Sequence, residues 1–335
     1  MAGKNKGVSE EIILEFEDNR LLALLCGEHN VHLSRIEQKL DVTLIGRGNL
    51  ISIIGGLEAS DLARSVLLRL YDQLERGHDV TMAEVDAAIR MAFVTDSPKD
   101  EALLLKKRES ENEIVIRTRK TVLSPRSPNQ AKYIEALRER EMVFGLGPAG
   151  TGKTFLAVAM AVSHLLEGRV EKIILSRPAV EAGEKLGFLP GDMREKVDPY
   201  LTPLFDALGQ MISREQTERR IERGDIEIAP LAFMRGRTLS NAFVILDEAQ
   251  NTTSMQMKMF LTRFGENCRM VVCGDPSQVD LPNGSRSGLV DALDTLRHIH
   301  DIAFVNFTSA DVVRHQLVGK IVDAYDRQGT KKKKQ

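Results

Sequence analysis

Hydrophobic and polar positions divide the chain into two stretches with different rhythms. Over residues 10–17 apolar and acidic residues alternate, the period-2 pattern of a half-buried strand. Arg20–Cys26 and His32–Leu40 repeat apolar residues at helical spacing, with a break at Gly27. Val42–Ile45 and Leu50–Ile54, separated by the turn residues Gly46–Asn49, predict a hairpin. Leu57–Leu74 puts Leu62, Val66, Leu67, Leu70 and Leu74 on one helical face and stops at Gly77; Val80–Phe93 predicts one more short helix.

From Pro128 the rhythm changes to short apolar runs alternating with helical patterns. The spacing predicts helix Gln130–Arg140, strand Met142–Gly145, helix 153–166, strand Lys172–Ser176 and a helical mixture over 181–223. Strands Ile226–Ile228, Phe243–Asp247, Arg269–Cys273 and Ile302–Asn306 come next, interleaved with helices Ser254–Phe264, Leu289–Leu296 and Val312–Tyr325. Such alternation predicts a parallel, doubly wound sheet. Residues 96–125 between the two stretches read as a linker, with Arg117, Arg119, Lys120 and, just beyond, Arg126 close together without an acid. A solvated charge run is the usual explanation; a strand tracking a phosphate backbone is the other. The expected division is therefore a unit over 10–95, the linker, a unit over 126–327 and a disordered basic tail over 328–335.

Chemistry concentrates in the second stretch. GPAGTGKT (147–154) fits the phosphate-loop pattern G-x-x-x-x-G-K-[ST] between a predicted strand and helix. Gly147, Gly150 and Gly152 lack a Cβ, so the backbone N–H groups of Gly147–Lys153, with Pro148, Ala149 and Thr151 as spacers, can turn toward phosphate oxygens. Lys153 is expected to reach the β- and γ-phosphates of ATP, and Thr154 to ligate Mg²⁺. AFVILDE (242–248) is a buried-strand run ending in two acids, the Walker B pattern. Asp247 is expected to hold the Mg²⁺ water shell, and Glu248 to orient or deprotonate the attacking water. In CGDPSQ (273–278), Asp275 and Gln278 stand where a γ-phosphate could be sensed. Gln130, in SPNQ, offers the paired donor and acceptor that suit an adenine edge.

Composition narrows the partners. Apolar residues make up 42% and charged residues 28%, an ordinary globular balance, and a net charge of −2 restricts any polyanion contact to local patches. No Trp is present, which argues against broad base-stacking platforms. Cys26, Cys268 and Cys273 have neither metal-ligand nor disulfide-framework spacing and read as buried thiols. No signal-like or membrane-spanning apolar run appears, so a cytoplasmic protein with no membrane partner is expected.

NQAKYIEAL, GPAGTGKT, SRPAVEAGEKLGFLPGD, IAPLAFMRGRTL, ILDEAQNTT, GDPSQVDLP and DVVRHQLV together resemble the PhoH family, strongly over 125–326 and more loosely over 10–95. The resemblance implies a single RecA-like P-loop NTPase domain with a parallel sheet, preceded by a small α+β domain similar to a KH domain. GDPSQ is similar to motif III of superfamily one helicases, and the SRPAV segment with Arg177 to a nucleic-acid-contacting helicase motif. The same resemblance implies an ATP-hydrolysing protein of RNA metabolism, with helicase-like remodelling or an ATP-gated RNA- or nuclease-binding adaptor as the alternatives. A small metal-dependent endoribonuclease of the YbeY type is the implied partner. The KH-like unit departs from its pattern, carrying GEHN (27–30) in place of G-x-x-G and 10 basic against 15 acidic residues over 1–95. Only one RecA-like lobe fits the length, so a neighbouring subunit is expected to supply an arginine finger in a homo-oligomeric ring, by resemblance a hexamer. The candidates are Arg314, Arg235 and Arg237.

Overall fold

The alternating residues after Ser9 form strand β1 (Glu10–Glu15), which buries Leu14 and leaves Ile13 exposed. A computed structural model describes residues 10–93, 115–178, 193–282 and 285–313. The chain divides into two units, one built on residues 10–93 and the other on 115–125 and 129–313, and each has its own core.

In the first unit, β1 is followed by α1 (Asn19–Cys26), α2 (Val31–Leu40), β2 (Thr43–Arg47), β3 (Leu50–Gly55), α3 (Leu57–Glu75) and α4 (Met82–Ala92). The strands make an antiparallel sheet in the order β1-β3-β2, with Glu10 opposite Gly55 and Thr43 opposite Ile54. Leu25, Ile36, Ile51, Ile53, Val66, Leu67 and Leu70 are fully buried against one another. Thr81 and Glu84 form a capping box that starts α4, satisfying helix-end N–H groups from both sides. At 27–30 the turn survives without its second glycine, because His29 (φ 52°) and Asn30 (φ 60°) both adopt left-handed angles. Cys26, expected to be buried, is half-buried at the end of α1.

The second unit contains β4 (Ile116–Arg117), β5 (Val122–Leu123), α5 (Pro128–Glu139), β6 (Met142–Leu146), α6 (Lys153–Leu166) and β7 (Lys172–Arg177). Beyond these lie α7 (Met193–Met211), α8 (Arg214–Glu222), β8 (Ile226–Pro230), β9 (Ala242–Leu246), α9 (Ser254–Leu261), β10 (Arg269–Gly274), α10 (Gly288–Leu296) and β11 (Ile302–Asn306). Six strands make a parallel sheet in the order β11-β6-β10-β9-β7-β8. Residues of α5, α6 and α7 fill the core on one face; α9, α10 and the turn after β8 fill the other. With both faces covered, β9 is buried at every position, as its unbroken apolar run requires.

Part of the expected linker belongs to this unit. β4 and β5 pair as a hairpin, and Val115 and Ile116 are buried, Ile116 beside Tyr133 and Leu156. Lys120 donates to the Gly209 carbonyl at 2.8 Å. Arg117, Arg119 and Lys120 are exposed, so the basic cluster is the outer surface of a hairpin whose first residues enter the core. The remainder of the linker, residues 179–192 of the helical region, Arg314 with the rest of the helix expected over Val312–Tyr325, and the basic tail lie outside the described residues, and Val312, the expected first residue of that helix, is extended. Among the described residues no helix is long and apolar enough to cross a membrane.

A candidate nucleotide site at the carboxyl edge of the sheet

Parallel strands bring the ends of β6, β9, β7 and β10 to one edge, the place where open α/β sheets bind ligands. The loop after β6 is built on its glycines. Gly147 has φ 132°, donates its N–H to the Gly274 carbonyl at 3.1 Å, and would place a Cβ only 2.3 Å from the Phe307 carbonyl oxygen. Gly150 (φ 81°) accepts the Val313 N–H at 2.9 Å. Gly152 (φ 86°) is the N-cap of α6 and has no side chain to occupy the first-turn N–H groups, an arrangement suited to an anion. Pro148 and Ala149 form the outer bend, and the Thr151 hydroxyl closes it by donating to the Pro148 carbonyl at 3.0 Å.

Four predicted side chains converge next to this loop. Lys153 Nζ donates to the carbonyls of Gly147 (2.6 Å) and Pro148 (2.8 Å). Burial lowers the pKa of its ammonium, and the carboxylates of Asp247, Asp275 and Glu248 oppose that shift. Thr154 donates its hydroxyl to Asp247 Oδ1 at 2.6 Å, joining the first turn of α6 to the end of β9. Burial raises the Asp247 pKa against this hydrogen bond. Glu248 turns out of the sheet at φ 50° and ψ 38°, with its carboxylate 3.4 Å from Arg177 and accepting from Gln250 Nε2 at 2.5 Å. Thr154, Arg177, Asp206, Gln210, Asp247 and Glu248 line a cleft of about 360 Å³, large enough for a small ligand.

The Thr154–Asp247 pair fits Mg²⁺, which takes one or two protein oxygens and fills its octahedron with water and substrate phosphate. Among the described residues no group of three or more His, Cys, Asp or Glu side chains could cage a metal.

Other candidates are placed differently. Gln130, expected at an adenine edge, lies beneath the loop with 4% exposure and donates from Nε2 to the Thr151 carbonyl at 2.9 Å. Asp275 accepts from the Ser277 N–H and hydroxyl on one oxygen and from Gln278 Nε2 (2.7 Å) on the other. Arg235 is exposed in the loop after β8, whereas Arg237 is held by Glu227 in a bidentate pair at 2.6 and 2.7 Å. Gln250, which no motif reading singled out, is buried at the centre of the site and bonds to both strand ends. Its signal in the sequence is only its place two residues after Glu248.

The profile described as PhoH-like protein matches residues 122–326 of this chain. The chain belongs to the PhoH family. It is 47% identical over 304 residues to the PhoH-like protein of Bacillus subtilis (strain 168), covering 91% of this chain and 93% of that protein. The PhoH-like protein of Mycobacterium tuberculosis (strain ATCC 25618 / H37Rv) is 47% identical over 309 residues, 92% of this chain and 85% of its own. Protein PhoH of Escherichia coli (strain K12) is 46% identical over 202 residues, 60% of this chain and 57% of its own. Membership of the PhoH family, the parallel sheet and the loop geometry together make the second unit a nucleotide-binding P-loop NTPase fold.

Proposed function

We propose that this PhoH-family chain binds ATP with Mg²⁺, hydrolyses it, and uses the cycle on RNA. The observation that carries the reading is the Thr154–Asp247 contact at 2.6 Å beside the glycine loop, with Glu248 directly following Asp247. In this reading the loop N–H groups and Lys153 hold the phosphates, and Thr154 and Asp247 hold the ion. When bound there, the ion would supply neutralisation of charge developing on the phosphate oxygens. Glu248 orients the attacking water and accepts its proton, while Asp275 and Gln278 stand where loss of the γ-phosphate is felt. Arg177 lines the same cleft and is the cation we assign to RNA phosphate. We assign completion of the site to a neighbouring subunit in a ring. A second reading, an ATP-gated adaptor for RNA or for an endoribonuclease, is favoured by the pairing of Glu248 with Arg177, which occupies one oxygen of the base and slows unstimulated turnover.

Phosphate release and ATP binding, measured with and without an RNA oligonucleotide, test both readings. Lys153→Ala removes a charge-assisted contact and is expected to weaken ATP binding by about 1.5–3 kcal/mol. Glu248→Gln is expected to keep ATP binding and lower turnover roughly 10²-fold. Unchanged turnover in Glu248→Gln removes its assignment as base. Absence of hydrolysis in the unmodified protein, with and without RNA, selects the adaptor.

A further inference from the structure

We propose that Gln250 is the positioning residue for Glu248 and couples it mechanically to the phosphate loop. This rests on the reading of Glu248 as the base for ATP hydrolysis. The coupling runs through one peptide unit, that between Gly274 and Asp275 at the end of β10. Its C=O accepts the N–H of Gly147 in the loop at 3.1 Å, and its N–H donates to Gln250 Oε1 at 3.1 Å. The six atoms of a peptide unit move as a plane, so a tilt imposed at the carbonyl appears at the N–H. Gln250 then passes it on, because its Nε2 donates to Glu248 Oε2 at 2.5 Å. Arg177 holds the other carboxylate oxygen from β7.

Gln250 is built for this place. Its side chain is 3% exposed, its backbone carbonyl accepts the Ser287 hydroxyl at 2.8 Å, and both ends of its amide are engaged. The orientation of the amide is set by chemistry: a backbone N–H can only donate and an ionised carboxylate can only accept. An amide meets both demands. A glutamate in its place would set one carboxylate against another, and an apolar side chain would meet neither. Gly274 leaves the room required, since a Cβ there would lie 2.8 Å from Gln250 Oε1 and 2.7 Å from Leu289 Cδ2. The result is a bonded path from the loop that would grip the β- and γ-phosphates to the carboxylate that would act on the γ-phosphate.

The test combines kinetics with hydrogen exchange. Gln250→Met and Gln250→Glu are made alone and in a Glu248→Gln background. ATP turnover is measured, and exchange over 145–153 and 244–252 is followed with and without a non-hydrolysable ATP analogue. Misplacing a base is expected to lower kcat by roughly 10–100-fold with KM for ATP unchanged. That loss is expected to vanish in the Glu248→Gln background, whereas a merely structural role would persist there. In exchange, the analogue is expected to protect both segments of the unmodified protein and only 145–153 in the Gln250 variants. A full additional loss in the Glu248→Gln background, an unchanged kcat, or retained protection over 244–252 overturns the proposal. If the unmodified protein hydrolyses no ATP, the hydrolysis reading fails by itself and the exchange result decides the coupling. If Gln250→Met does not fold, the near-isosteric Gln250→Glu carries the comparison.

Discussion

His164 sits in the last turn of α6 with 1% exposure, edge-on to Phe243 at 5.4 Å between ring centroids. Neither ring nitrogen has a hydrogen-bond partner among the described residues. Two effects compete for its proton. A helix C-terminus favours the imidazolium by about 0.3–1 kcal/mol, whereas burial penalises it far more. Burial wins, with the Arg269 and Arg169 charges adding to it, and the pKa falls from 6.5 to about 4. The folded protein therefore holds His164 neutral while the unfolded chain takes up a proton once the pH drops below 6.5. Stability is lost through that window and the loss levels off below pH 4, where it reaches about 3 kcal/mol; at pH 5 it is about 2 kcal/mol. The perturbation is His164→Leu, which removes the proton site and two unsatisfied polar atoms. Urea unfolding at pH 7.5 and pH 5.0 is the assay. The unmodified protein is expected to lose about 2 kcal/mol more than the variant between the two pH values. At pH 7.5 the variant is expected to be equal or more stable, since an unsatisfied buried polar group costs about 1–3 kcal/mol. Parallel pH dependence in the two proteins would refute the reasoning.

Two further predictions concern the site. Because Gln130 Nε2 braces the Thr151 carbonyl, Gln130→Ala is expected to weaken ATP and GTP binding alike in a titration; a loss confined to ATP would restore its reading of adenine. Activity per subunit is expected to rise with concentration as a ring assembles, and mixing Arg235→Ala with Lys153→Ala subunits is expected to restore turnover, since an arginine finger contributes about 10³–10⁵ in rate. Flat activity from monomer to oligomer, or no rescue on mixing, would place the finger in the same subunit or elsewhere.

The candidate nucleotide site was legible where local pattern and chemistry coincide. A buried strand, three glycines and a Lys-Thr pair specify β6, the loop and α6 without reference to the rest of the chain. Asp247 and Glu248 were legible because they end an unbroken apolar run, although Asp247 lies just past β9 rather than in it. The capping box of Thr81 and Glu84 has the pattern T-x-x-E and was open to the same reading. Gln250 was not legible, because its role depends on a hydrogen bond to Asp275, 25 residues away, formed only once β9 and β10 lie side by side. The pairing of Arg237, a candidate arginine finger, was hidden for the same reason: Glu227, its partner, comes from another element. The β4–β5 hairpin read as linker because its basic side chains face outward while the few apolar residues Val115, Ile116 and Leu123 pack inward.

That hairpin sets where this module can be cut. The profile match begins at Val122, yet Ile116 lies 1% exposed within the hydrophobic interior of the same unit, and Arg138 of α5 donates to the Val115 carbonyl. The profile and the fold therefore draw the border in different places. A gene fusion that transplants the region at the profile border leaves behind a strand of the interior, exposes the flank of α6 and removes the carbonyl that Arg138 donates to. A cut upstream of Val115 carries these residues along, so an isolated second unit has to keep a short stretch that lies ahead of the profile border.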